Sequence, residues 1–455
     1  MNSADQYPEF YRPFLWGSLT LSILAGFGLA AHLSSVMALG LVRGDVTIGL
    51  IRAHGHVQLL GWIGMLIIGI SLYVFPRLQS KAFSNNNLIP VIFKLLLAGV
   101  VIFATAKILV PYFTGSTRFV ITLVGTAGTF LETLAILLYL YLALGTFTGK
   151  PFDRSETKRL LPYFAPVFCG WLVFAVGNAA ISFSAFNPVF PHSDPEWHNF
   201  LLEIFQRLII TPAIMGFGLK MLPNFLGLRA PLWPVKAVGL TYASGALIYF
   251  AAYAANIISA GNIHLIILIN AAGLAFMSLG LIWYIWELDA LFFRVKPERV
   301  SLKIYRSDAS SLRGRFGDRG EFGRFELFII AGFGWALIGA ALELLNSVLM
   351  ISGYPKYIEP VNIRHIFLAG FAAHIVFGVG TRLLPNLIKQ SLYSPKLTLM
   401  SFVLLFSGTL FRILPGLTAK FGIVLPSWLF GISGTLALSA LIIFTVNIVR
   451  TPYNN

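Results

Sequence analysis

Charged residues are scarce in this sequence. Only 11% of its 455 residues are Asp, Glu, Lys or Arg, whereas about a quarter are charged in a typical soluble protein. Together with a hydrophobic fraction of 57%, this scarcity excludes a soluble enzyme, a disordered protein and a nucleic-acid-binding protein. Cysteine is almost absent as well. Cys169 stands alone, which excludes disulfide bridges within the chain and metal clusters held by cysteine.

Acidic residues are fewer than basic ones, 18 against 33. In so apolar a chain, basic loops typically mark the cytoplasmic side of a membrane protein. Most Lys and Arg residues fall on one side if both termini are cytoplasmic, and many lie in the loop of about 289–324. We therefore expect an inner-membrane protein, surrounded by the lipid bilayer, with both termini in the cytoplasm. Met1–Glu9 is polar, so we expect no cleavable signal peptide.

Long apolar runs are abundant. A helix needs about 20 apolar residues to cross a bilayer, and twelve runs are long enough. Long alternating segments, which would indicate a barrel, do not occur. The sequence therefore predicts an all-α membrane protein with twelve transmembrane helices. The predicted spans cover about 14–40, 50–76, 88–112, 117–144, 160–185, 198–223, 232–258, 263–288, 325–350, 362–387, 396–416 and 422–450.

The second, sixth and tenth predicted spans share a spacing. The segments His56–Pro76, Glu203–Pro223 and His365–Pro385 each begin with a polar residue twenty positions before a proline. Glycine recurs seven positions before each proline and, in two segments, fifteen positions before it. These glycines are Gly69, Gly216 and Gly378, and then Gly61 and Gly370. We predict one membrane domain, 1–455, made of three pseudo-repeated four-helix units at about 10–150, 151–290 and 320–450.

Two histidines occupy equivalent positions in this repeat. His56 and His365 should lie at a similar depth on two different helices, and two such imidazoles suit axial ligation of a haem iron. His54 lies about 200° around the helix from His56, so the two residues should meet different neighbours. Either of them is a candidate partner for His365. The alternative is that each histidine only forms a hydrogen bond with a neighbouring helix.

Three further polar residues are candidates for the site. His374 follows His365 by about two and a half helical turns, so we expect His374 or His54 to serve a second haem or a copper ion. Arg207 lies four residues after Glu203. These two form a neutral ion pair inside the membrane, or Arg207 pairs with a haem propionate while Glu203 binds metal or relays protons.

The arrangement of polar residues on spans two, six and ten resembles subunit I of the haem-copper oxidases. The resemblance implies a twelve-helix fold in which one histidine on span two and one on span ten ligate a low-spin haem. The matching residues are His56, with His54 as its rival, and His365. A working oxidase would also use quinol or an electron-transfer protein as its electron donor.

A second resemblance is to the NnrS family of twelve-span membrane proteins. Arg12-Pro13-Phe14 is similar to the start of that family's first span, and the segment from His54 to Pro76 has its His-x-His, glycine and proline spacing. The segment 216–227 is similar to a further family motif. This resemblance implies haem, most simply b-type, allows copper, and implies a role in handling nitric oxide or another diatomic gas.

The sequence also departs from both patterns. Val57 stands where the NnrS motif has glutamate, and Ile363 stands where the oxidases carry the first of two paired histidines on span ten. We therefore do not expect a standard dinuclear oxygen-reducing centre. The first hypothesis is a haem-binding protein of NnrS type. The alternatives are a haem-dependent membrane oxidoreductase that reduces nitric oxide or oxygen, and a cofactor-free transporter of a metal or small solute, with Thr211-Pro212 as a candidate helix break.

Overall fold

The structure, a computed structural model of the chain, describes residues 10–79, 81–147, 154–186, 194–259, 261–294, 319–354, 358–388 and 390–451. Within these ranges it contains helices and no strand. Twelve helices are long and apolar enough to cross a membrane, as predicted. They are α1 (Tyr11–Ala38), α2 (Gly44–Leu78), α3 (Leu88–Tyr112), α4 (Gly115–Phe147), α5 (Lys158–Phe186), α6 (Pro195–Leu226), α7 (Val235–Ile257), α8 (Ile263–Leu288), α9 (Phe325–Ile351), α10 (Pro360–Leu387), α11 (Pro395–Ala419) and α12 (Ser427–Val449).

The three helices that carry the repeated spacing are also the most buried. The buried share of the most apolar stretch is 83% in α2, 78% in α6 and 67% in α10. In the other nine helices this share is 33–56%. A polar side chain on α2, α6 or α10 is therefore mostly surrounded by protein and not by lipid. This is the environment in which membrane proteins keep functional polar residues.

Each of these three helices contains a π-helical segment close to its repeated polar residue. Val57–Gly64 follows His56, Phe205–Ile210 begins two residues after Glu203, and Ile366–Ala372 follows His365. A π-helical turn shifts carbonyl groups out of the regular hydrogen-bond pattern and is frequent at functional sites. The repeat seen in the sequence therefore has a backbone counterpart.

The candidate helix break in α6 is not a break in the structure. The α-helical segment Thr211–Leu226 includes both Thr211 and Pro212.

The repeated glycines of α2 and α10 allow the preceding helix to approach closely. A Cβ atom added at any of four positions would lie only 2.7–3.2 Å from a side-chain atom of α1 or α9. In both helices the two contacted residues are seven positions apart, which strengthens the evidence for a structural repeat. The pairs are Gly69 with Phe14 and Gly61 with Leu21 in the first repeat, and Gly378 with Phe328 and Gly370 with Trp335 in the third.

The chain divides into two compact units, Met1–Ile210 and Thr211–Asn455, with the boundary inside α6. The first unit has an aromatic interior in which the buried Trp171 packs edge-on against Tyr139 and Phe205. In the second unit the hydroxyl of the buried Tyr284 donates to the carbonyl of Met215 at 2.8 Å. One domain of three repeat units stays a prediction. Most of the loop of about 289–324 lies outside the described residues.

Candidate functional site

His56 is part of a buried polar cluster in the first unit. Its Nε2 atom lies 2.7 Å from Oε1 of Glu132 on α4. The second carboxylate oxygen of Glu132 accepts a hydrogen bond of 3.0 Å from the side-chain amide of Asn178 on α5. All three residues are at most 7% exposed. The cluster joins α2, α4 and α5, and its polar groups have the partners that a membrane interior demands.

The surroundings hold this cluster in place. The imidazole of His56 packs on the ring of Phe103, with 4.2 Å between the ring centroids. A Cβ atom on Gly99 would lie 2.6 Å from Cγ of Glu132, so Glu132 occupies space that only a glycine leaves. The sequence gave no sign of the part played by Asn178 or Gly99. Their roles depend on contacts between helices that are far apart in the chain.

His54 meets a different neighbour from His56, as their angular separation predicts. Its Nδ1 atom lies 2.9 Å from the carbonyl oxygen of Gly26 on α1. Gly26 ends a short π-helical segment, Ser22–Gly26, in which carbonyls leave the regular pattern. Since a carbonyl can only accept, Nδ1 carries the proton, and the lone pair of the neutral ring is on Nε2.

His365 shows the same arrangement at the start of α10. Its Nδ1 atom lies 2.7 Å from the carbonyl oxygen of Val361, one helical turn earlier. This contact also places the proton on Nδ1 and the lone pair on Nε2. The side chain is half-buried. His365 therefore has the tautomer that metal-binding histidines commonly adopt.

His374 is fully buried in an aromatic part of the second unit. Its Nδ1 atom lies 3.1 Å from the carbonyl oxygen of Ala369, within the π-helical segment of α10. Its Nε2 atom has no hydrogen-bond partner among the described residues. The rings of Phe328, Phe402 and Phe406 surround the imidazole, with centroids 6.2–6.4 Å away. An orphaned, buried Nε2 with its tautomer set by the backbone is chemically suited to a metal.

Glu203 and Arg207 form the ion pair that their spacing indicates. Arg207 Nε lies 2.5 Å from Glu203 Oε2, and both side chains are buried. The pair neutralises two charges within α6, which reduces the cost of burying them. A contact between Arg207 and a haem propionate, and a proton or metal role for Glu203, stay predictions.

The structure assigns the predicted site residues to two units. His54, His56, Glu203 and Arg207 belong to the first unit, and His365 and His374 belong to the second. The pairing of a histidine of α2 with His365 therefore stays a prediction. Among the described residues, no group of three or more His, Cys, Asp or Glu side chains could hold a metal ion. A copper site with three such ligands therefore has no donor set in this part of the chain.

The comparisons with known proteins support the fold. No protein-family model matches the sequence, and no curated protein matches it. Among solved structures, the chain is similar to a haem-copper terminal oxidase, determined as a dimer by electron cryo-microscopy. The TM-score is 0.64 at 11% sequence identity, and the match covers 100% of this chain and 85% of the oxidase chain. At that identity the likeness shows the fold alone. The predicted fold class, a twelve-helix membrane protein like haem-copper oxidase subunit I, is confirmed.

Proposed function

We propose that this multi-pass membrane protein binds haem and handles nitric oxide, as the resemblance to the NnrS family implies. The proposal rests on how the imidazole rings of three histidines on α2 and α10 are oriented. His54, His365 and His374 each direct Nδ1 to a backbone carbonyl. This contact orients the ring and sets the tautomer in which the lone pair is on Nε2, the form that metal-binding histidines commonly adopt. These helices are among the most buried helices of an oxidase-like fold.

The donor set fits a haem iron. Two neutral imidazoles are common axial ligands, and the backbone contact at Nδ1 is the usual second interaction of such a ligand. His54 and His365 are each a candidate donor of this kind, whereas Nε2 of His56 is engaged by Glu132. Covalent attachment requires a Cys-x-x-Cys-His segment and the chain has only Cys169, so the haem would be bound non-covalently, most simply as haem b.

His374 offers a second donor of the same kind. Its buried Nε2 lacks a partner among the described residues and lies among phenylalanine rings. These residues suit the porphyrin of a second haem better than a copper ion, because a single imidazole among aromatic rings supplies one ligand and much apolar surface.

Other residues of the chain hold charge and protons beside these donors. Glu132, fixed by Asn178, accepts from Nε2 of His56, so the pair holds a proton two residues away from His54. Glu203 keeps the guanidinium of Arg207 neutralised inside α6. When bound, a haem held through only one of these histidines would supply an iron with a position left for nitric oxide. Nitric oxide is small and uncharged, so it can reach a buried site from the lipid phase without a polar channel.

The alternative is a membrane oxidoreductase that reduces nitric oxide or oxygen with electrons from quinol or an electron-transfer protein. The His56–Glu132–Asn178 cluster favours it, because an imidazole in contact with a carboxylate can deliver a proton to a neighbouring reaction site. Both functions would use the same haem ligands. Only the oxidoreductase would consume nitric oxide or oxygen catalytically.

The test uses the full-length protein, purified from haem-replete cells in detergent. A pyridine haemochrome assay with metal analysis should find haem b, and an anaerobic titration with nitric oxide should shift the Soret band. A colourless preparation would overturn the proposal. Consumption of nitric oxide or oxygen with a reduced quinol, measured by electrode, would instead establish the enzyme. Gas binding without consumption would exclude enzyme activity with that donor.

A further inference from the structure

A second polar site, unrelated to the proposed haem ligands, lies between α3, α4 and α5. A small cavity there is lined by Phe103, Ala106, Lys107, Val110, Thr122, Gly125, Thr126 and Ser182. The helices α3 and α4 touch closely beside this cavity: a Cβ atom on Gly125 would lie 2.7 Å from Cβ of Ala106. The free space is about that of one water molecule.

Lys107 brings a positive charge into this cavity without a counter-charge. The residue is only 6% exposed. Its ammonium group lies 5.0 Å from the centre of the Phe103 ring, within the range of a cation–π contact. Among the described residues, no carboxylate or hydrogen-bond acceptor pairs with it. A buried charge of this kind is strongly unfavourable unless an opposite charge accompanies it.

The nearest charged group makes this imbalance larger. Arg52 on α2 is close enough for its guanidinium to repel the Lys107 ammonium. Arg52 is itself attracted by the carboxylate of Asp194, at the start of α6. With Asp194 counted, the three groups carry one net positive charge, and an anion is the group that such a charge attracts.

The hydroxyl groups of the lining add a second unused donor. Thr122 donates to the carbonyl of Arg118 at 2.9 Å, and Ser182 donates to the carbonyl of Ala179 at 2.6 Å. Thr126, which is 5% exposed, has no side-chain hydrogen bond within the described part of the chain. The donors left for a ligand are therefore Nζ of Lys107 and the hydroxyl of Thr126.

We propose that this cavity binds one small monovalent anion, for which chloride is the probe. Lys107 supplies the charge and three N–H donors, Thr126 supplies an O–H donor, and Arg52 strengthens the attraction at a distance. Lys107 lies in the last two turns of α3, near the helix end at Tyr112. The ion therefore has only a short path from the aqueous phase.

The experiment measures chloride binding to the full-length protein in detergent. Equilibrium dialysis with radioactive chloride, in sodium gluconate of constant ionic strength, should show saturable binding of one ion per chain. Replacing gluconate by chloride should also raise the midpoint of thermal unfolding by roughly 2–4 °C, because the ion binds only the folded state. Absence of saturable binding to the wild-type protein would overturn the proposal.

Variants then locate the site. Lys107→Met should weaken chloride binding by about tenfold or more, since it removes the charge. Lys94→Met is the matched control, because Lys94 is an exposed lysine of the same helix, and it should bind chloride like the wild type. If Lys107→Met does not fold, Thr126→Val tests the site in its place. Valine keeps the shape of the threonine side chain and removes the hydroxyl donor. An unchanged chloride affinity in Thr126→Val would then exclude this cavity.

Discussion

Glu132 holds the nitrogen of His56 that a haem iron would require. Nε2 of His56 lies 2.7 Å from the carboxylate, whereas His54, two residues earlier, uses Nδ1 for the carbonyl of Gly26. The two histidines of α2 therefore have different chemistry although they are close in sequence. One is held as part of a buried acid–base pair, and the other has the tautomer of a metal ligand.

This difference predicts opposite results for two alanine variants. His54→Ala should lose most of the haem found in the wild type, because it removes an axial donor. His56→Ala should keep it, because Glu132 and Asn178 remain to fill the cluster. Haem per protein, from the pyridine haemochrome assay, is the measurement, and His264→Ala is the control because His264 is exposed. Loss of haem in His56→Ala alone would reverse the assignment.

Removing the carboxylate of Glu132 should destabilise the first unit. In Glu132→Leu the side chains of His56 and Asn178 lose their acceptor inside the protein, and a buried unsatisfied donor costs about 1–3 kcal/mol. Glu132→Gln keeps one acceptor oxygen and should lose less. Thermal unfolding in detergent, followed by tryptophan fluorescence, compares the two variants. Equal midpoints for wild type and Glu132→Leu would show that the cluster contributes no stability.

Gly99 predicts a steric effect on the same cluster. In Gly99→Ala the new Cβ atom would lie 2.6 Å from Cγ of Glu132 and 2.8 Å from the carbonyl oxygen of Gly128, so α3 and α4 must separate. We expect a lower unfolding midpoint. Gly145→Ala on α4 is the control, because a Cβ atom there meets nothing within 4 Å. Alanine should stabilise that helix by about 0.5–1 kcal/mol. The prediction fails if both alanine variants behave alike.

The ion pair of α6 predicts a non-additive double variant. Glu203→Gln takes away the carboxylate that lies 2.5 Å from Arg207 and should cost about 3–5 kcal/mol, because the buried guanidinium keeps its charge. In the double variant Glu203→Leu/Arg207→Leu both charges disappear, so we expect a smaller loss than in Glu203→Gln. Unfolding midpoints of the single and double variants give the comparison. A double variant that is less stable than Glu203→Gln would argue for a further role of these charges.

Much of the fold could be predicted from the sequence, because its causes are local. A run of about 20 apolar residues forms a membrane helix wherever it occurs, and all twelve predicted spans are helices of the structure. The repeated positions of His56, Glu203 and His365 likewise identified the helices that the structure buries most deeply.

The contacts of the polar residues could not be predicted in this way. His56 meets a carboxylate 76 positions later in the chain, and in the described part of the chain no carboxylate pairs with the ammonium group of Lys107. The carbonyls that hold His54 and His374 come from π-helical segments, for which the sequence has no reliable signal.

The sequence by itself determined that this protein is a twelve-helix membrane protein with its polar residues on α2, α6 and α10, since hydrophobic length and residue spacing act within each helix. The tertiary structure decided which nitrogen of each histidine forms a hydrogen bond and which residues meet the carboxylate of Glu132. It also decided that, among the described residues, no carboxylate pairs with Lys107. These features depend on the packing of helices against one another, and a hydrogen bond forms only when packing brings donor and acceptor within about 3 Å.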